Sequence, residues 1–180
     1  MNMKIIDLKT LSKDIHFPIL RAVYKVAPKR SWWQKIIKFF TYHRWYEFMS
    51  DYILWVPSID KYAFIPTSFV CDNASVPKVL SSLFNSDGML LLGSYFHDFG
   101  YRYQGLFVVD MSTGELVFVT LNKKEFDRIF KDLCIYESGF KKASWIASTG
   151  LKLFGFIGWK QNRKRAAVLK KDFPELFVKE

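Results

Sequence analysis

Met89-Leu90-Leu91-Leu92-Gly93-Ser94-Tyr95-Phe96-His97-Asp98-Phe99-Gly100-Tyr101-Arg102-Tyr103 is the most hydrophobic helix-length run in the chain. Leu90, Leu91, Leu92, Tyr95, Phe96 and Phe99 surround one imidazole and one carboxylate, His97 and Asp98. The pattern predicts a helix from about Met89 to Tyr103. Burying either polar group unpaired would cost several kcal/mol, so both are expected to have partners. The next helical pattern downstream, Lys123 to Glu137, has the apolar stripe Phe126, Ile129, Phe130 and Leu133, and Asn122 is placed to cap it. Asp127 borders that stripe one turn from Phe130, which makes it the second carboxylate in an apolar setting.

Reading outward from this helix pair gives strands. Trp45 to Val56 is strand-like, the turn around Pro57 to Lys61 leads into a second strand at Tyr62 to Val70, and Pro66 suggests an edge. Leu106 to Val109 and Leu116 to Thr120, joined by Asp110-Met111-Ser112-Thr113-Gly114-Glu115, read as another hairpin. A short helix should open at Pro77 and end before Asn85-Ser86-Asp87-Gly88, and a last helical stretch should run from Phe140 to Phe154. Ser31 caps an amphipathic helix whose Trp32, Trp33, Ile36, Ile37 and Phe40 share one side. The fold class that follows is α+β: two packed helices with β-hairpins on the periphery. Residues 1–48 form a basic aromatic segment on or beside a domain at 49–180.

With 180 residues, half of them hydrophobic, the chain can bury one sizeable core. No uncharged run approaches the ~18 apolar residues that span a bilayer, and Lys4, Asp7, Lys9, Lys13 and Asp14 interrupt any secretory signal. Synthesis into the cytoplasm is expected. Cys71 and Cys134 are too isolated for a disulfide framework or a metal knuckle and read as reduced thiols. The net charge of +10 is uneven, with residues 1–48 holding ten Lys/Arg against three acids, 49–121 three against seven, and 122–180 fourteen against seven. Basic ends thus flank an acidic middle where Asp72, Asp87 and Asp98 gather, which points to a cation site there. A nucleic-acid binder ranks behind: cations cluster from Lys160 to Lys171, but no recognised module appears.

Adjacent helix positions diverge by ~100°, so His97 and Asp98 aim at different targets, while Tyr101 lies one turn beyond His97 on nearly the same face. One helix offers a base, a metal ligand and an orienting hydroxyl. Asp72, in Cys71-Asp72-Asn73-Ala74-Ser75, offers a second carboxylate to a hard cation bound by Asp98. The plainer reading pairs Asp98 with Arg102, pairs Asp127 with Lys123 or Lys131, and leaves His97 as a hydrogen-bonded core histidine.

His97-Asp98-Phe99-Gly100-Tyr101-Arg102 resembles the His-Asp-x-x-Tyr signature of phospholipases A2, most closely the bacterial and fungal secreted branch. Lys123 to Phe130 resembles the segment that brings a carboxylate to the catalytic histidine of that family, with Asp127 the matching residue. The resemblance implies His97 as the base, Asp127 and Tyr101 as its supports, and Ca2+ on Asp98, Asp72 and the Asn73 carbonyl. His97 and Asp127 are then expected to share a hydrogen bond, with Tyr101 bonded to Asp127. The secreted enzymes rely on disulfides that this chain cannot form, and their connection is shorter than residues 106–120.

A wider likeness, from Tyr62 to Trp159, rests on Val70-Cys71-Asp72-Asn73-Ala74-Ser75-Val76-Pro77, His97-Asp98-x-x-Tyr101-Arg102 and Asp127-Arg128-Ile129-Phe130. These strings resemble a small domain family of unknown function common in tailed bacteriophages and prophages. Together the two likenesses imply a phage-type protein with a calcium-dependent ester hydrolase site acting at a phospholipid membrane surface. The contrasting expectation is a non-catalytic virion or host-interaction protein, serving lysis or anti-defence, that keeps the helix pair as scaffold and docks a phage or host protein.

Overall fold

A computed structural model describes residues 4–23, 45–71, 91–139, 141–142, 144–145, 148–149 and 169–176. Strands β1 (Leu20–Val23), β2 (Trp45–Phe48), β3 (Tyr52–Val56), β4 (Lys61–Ile65) and β5 (Val70–Cys71) precede helix α1 (Leu91–Tyr103). Strands β6 (Gly105–Val109) and β7 (Leu116–Thr120), helix α2 (Lys123–Ser138) and the short helix α3 (Leu169–Asp172) follow. The fold is mixed α+β, with two antiparallel sheets of order β1-β2-β5 and β3-β4-β6-β7. Among the described residues no helix is long and apolar enough to cross a membrane.

The run read as one strand over 45–56 is divided between the two sheets. Asp51 explains the break. Its Oδ1 accepts from the Thr67 amide at 2.9 Å and the Thr67 hydroxyl at 2.8 Å, and its Oδ2 takes the Lys4 ammonium. Burial acts to raise its carboxyl, but Lys4 and Thr67 outweigh that and hold it below the usual value. The chain is thereby turned at 49–51, and Phe48 pairs instead with Phe69 and Ser68.

The hairpins form as their turns predict, yet they are not peripheral. Every residue of β6 is buried, as is all of β4 after Lys61, because both strands are apolar on both faces. Such strands belong in the middle of a fold. Phe64 of β4 meets Phe107 of β6, and Phe107 in turn meets Phe99 of α1, so sheet and central helix share one aromatic core. Pro66 is likewise no edge marker: β4 lies between β3 and β6, and the proline falls just past its end.

Helices α1 and α2 run antiparallel, Leu92 beside Glu137 at one end and Tyr101 beside Asp127 at the other. Their approach depends on two glycines seven residues apart on α1. A Cβ at Gly93 would lie 2.6 Å from Cys134 Sγ and 2.8 Å from the Phe130 carbonyl oxygen, and one at Gly100 would overlap the Phe126 ring. Asn122 caps α2 in a reciprocal box with Glu125, as its sequence position predicts. The expected helices at 32–40 and 77–84 lie outside the described residues, as does most of the expected helix at 140–154 and of the basic tail.

Candidate functional site

Three of the side chains singled out in the sequence meet between α1 and α2. His97 and Tyr101 sit one turn apart on α1 with ring centroids 3.8 Å apart, and Phe130 closes on the imidazole from α2 at 5.6 Å. Asp127 projects from α2 toward both. Its Oδ1 accepts from the Tyr101 hydroxyl at 2.8 Å and stands 3.9 Å from His97 Nε2. That second separation exceeds a hydrogen bond, so the direct His97–Asp127 bond expected from the sequence is an ion-pair-range contact instead. Oδ2 accepts from the Lys123 ammonium at 2.6 Å, one turn back on the same helix.

This arrangement explains how a carboxylate only 5% exposed is tolerated. Lys123 supplies the opposite charge and Tyr101 a hydroxyl donor, so Asp127 is paired on both oxygens. Lys123 is one of the two lysines that the plainer sequence reading offered it. Burial, and then the hydrogen bond to Asp127, push the Tyr101 hydroxyl well above its ordinary value. Tyr101 therefore stays a donor at any physiological pH.

His97 is 8% exposed, and its two nitrogens face different carboxylates. Nε2 is on the Asp127 side and Nδ1 is 3.9 Å from Asp98 Oδ1. The Asp98 side chain, 23% exposed, lies toward the surface. Asp98 and Arg102, paired in the plainer reading, take different directions: the Arg102 guanidinium stands 4.9 Å over the Phe69 ring. Asp72 and Asn73 lie outside the described residues, so the expected approach of Asp72 to Asp98 has no geometry to set against it. Among the described residues no group of three His, Cys, Asp or Glu side chains is arranged to hold a metal. Calcium takes six to eight oxygens, of which Asp98 alone would supply one or two. Cys71 and Cys134 are both buried and in no disulfide, in line with their reading as reduced thiols.

One half-buried acid escaped the sequence reading. Glu137 Oε2 accepts from the Leu92 amide at 3.0 Å in the first turn of α1. Oε1 has no hydrogen-bond partner among the described residues, and burial pushes the carboxyl up to about 7. The signal was present, because Glu137 continues the Phe126, Phe130, Leu133 stripe at helical spacing.

No curated protein and no solved structure is matched by the sequence. Residues 46–148, more than half of the chain, match the model of a family described as protein of unknown function, DUF1353. The matched span begins in β2 and takes in both sheets' later strands, α1 and α2, and with them His97, Asp98, Tyr101 and Asp127. On this match the chain belongs to the DUF1353 family.

Proposed function

We propose that the α1–α2 cluster is the base of a phospholipase-A2-like ester hydrolase in a phage-type protein. The observation supporting this reading most directly is that Asp127 receives the Tyr101 hydroxyl while facing His97 Nε2. With a proton on Nε2 toward Asp127, Nδ1 becomes the basic nitrogen, on the side of Asp98 and the surface. His97 then takes a proton from a water as that water attacks the ester carbonyl, and returns it to the departing alcohol. Asp127 steadies the imidazolium, and Tyr101 holds Asp127. A 3.9 Å separation suits a resting site, since such contacts shorten when substrate binds. Asp98, with Asp72 and Asn73 as companions, is the group that would hold Ca2+, and the ion, when bound, would polarise the ester carbonyl. The basic aromatic segment at 1–48, with Trp32, Trp33, Phe39 and Phe40, would hold the domain on an anionic phospholipid surface.

The Lys123–Asp127 pair favours a second reading, in which the cluster only fastens two helices and the protein is a virion or host-interaction scaffold. Fatty-acid release from phosphatidylglycerol vesicles separates the two. The hydrolase reading expects release that needs Ca2+, falls at least 100-fold in His97→Ala, and requires far more Ca2+ in Asp98→Asn. Wild-type protein that releases nothing from neutral or anionic lipid at any calcium concentration supports the scaffold.

A further inference from the structure

Beyond α1, the outer flank of α2 bears a groove unrelated to the His97 cluster. Lys131 and Ile135 of α2, with Lys141, Lys142 and Trp145 after the helix, line a cavity of about 500 Å³. Its floor is apolar, from Ile135 and the Trp145 indole, and Trp145 is 61% exposed. An exposed tryptophan beside an aliphatic side chain is an unusual investment for a surface that touches only water. Among the described residues the rim has a single sign of charge. Among the described residues none of Lys131, Lys141 and Lys142 takes part in an ion pair, whereas Lys4, Arg21, Lys123 and Arg128 all do.

We infer that this groove docks an acidic segment of another protein, with an apolar or aromatic side chain of that segment anchored between Ile135 and Trp145. Charge complementarity selects this occupant. Three ammonium groups around one hollow match several carboxylates spaced along a peptide better than a single carboxylate. The net excess of seven positive charges over residues 122–180 adds long-range attraction for an acidic partner. An exposed tryptophan flanked by cations is also the composition typical of an energetic centre at protein interfaces.

Selection of a random twelve-residue peptide library on the full chain should enrich sequences in which Asp or Glu flank an apolar residue. A fluorescein-labelled winner should bind with an affinity that falls as salt rises. It should bind at least 10-fold more weakly when its acids become Asn and Gln, and at least 10-fold more weakly to Lys141→Glu/Lys142→Glu. Trp145→Ala should lose a comparable amount. All three substituted side chains are exposed, so circular dichroism should show the variants folded as the wild type. Failure to enrich acidic sequences, or winners that bind the double variant equally well, overturns the inference. So does binding of phosphatidylglycerol vesicles through these same lysines with no peptide selected, which would make the groove a lipid contact.

Discussion

The two ends of the α1–α2 pair each bury a carboxylate on the same helix, and they treat it in opposite ways. At one end Asp127 has Lys123 on one oxygen and Tyr101 on the other. At the other end, among the described residues, Glu137 has a single amide, that of Leu92, and faces Tyr52, Tyr95 and Cys134, none of them a cation. Burial pushes the Glu137 carboxyl up to about 7. Burial sets the cost of a charge, and the partners decide whether the group ionises regardless. The paired end is suited to hold a histidine in one orientation, and the poorly paired end makes the start of α1 sensitive to pH.

Removing the charge of Asp127 is the harshest test of this contrast. Asp127→Asn removes the anion of the Lys123–Asp127 pair, in which the lysine side chain is 20% exposed. Breaking a buried pair costs about 3–5 kcal/mol, and the residual exposure places this one near about 3 kcal/mol. Urea unfolding at pH 7.5 should show that loss. Adding Lys123→Met should recover part of it, because the buried face then carries neither member of the pair. A single variant as stable as wild type would mean that the pair does not sustain the helix junction.

The next effect concerns the contact that brings the two ends into register. Gly100→Ala places a methyl group into the Phe126 ring, and overpacking of this kind costs about 1–3 kcal/mol. Because Gly100 is the neighbour of Tyr101, the shift should also disturb the Tyr101–Asp127 hydrogen bond. The double variant Gly100→Ala/Phe126→Leu, with room restored, should regain most of the stability. Equal losses in the single and double variants would show that the glycine serves some other purpose.

The helix pair was legible because its signals are local: a period of 3.6, the Asn122 cap, and polar groups interrupting apolar runs. Both hairpins were legible from their turn residues. What one sequence could not convey is long-range. The division of 45–56 between two sheets depends on Lys4 and Thr67 reaching Asp51 from elsewhere in the chain. The central place of β6 follows from packing against β4 and α1, although its unbroken apolar run Leu106-Phe107-Val108-Val109 could have been read as a strand buried on both faces. Strand β1 went unread for a related reason: it pairs only through β2 and alternates weakly, with its two central residues exposed. In the site, motif spacing brought His97, Tyr101 and Asp127 to notice. Glu137 was overlooked because an acid at the end of an amphipathic helix reads as surface.

The smallest expected effect belongs to Glu137, and its sign follows from linkage. The folded carboxyl titrates near 7, above its ordinary 4.5 in the unfolded chain. Between those values the unfolded chain has released a proton that the folded chain still holds, so stability falls as pH rises through this window and levels off above about 7. Below 4.5 both states are protonated and the group contributes no slope. Glu137→Gln keeps an oxygen for the Leu92 amide and has no charge to bury, so the variant should lose this part of the pH dependence. Above pH 7 it should be more stable than wild type, on the order of 1 kcal/mol once solvent screening of a part-exposed side chain is allowed for. Urea midpoints from pH 4.5 to 8.5 for both proteins provide the measurement. Parallel curves would show that Glu137 ionises without penalty, and the contrast between the two ends of the helix pair would then be one of geometry alone.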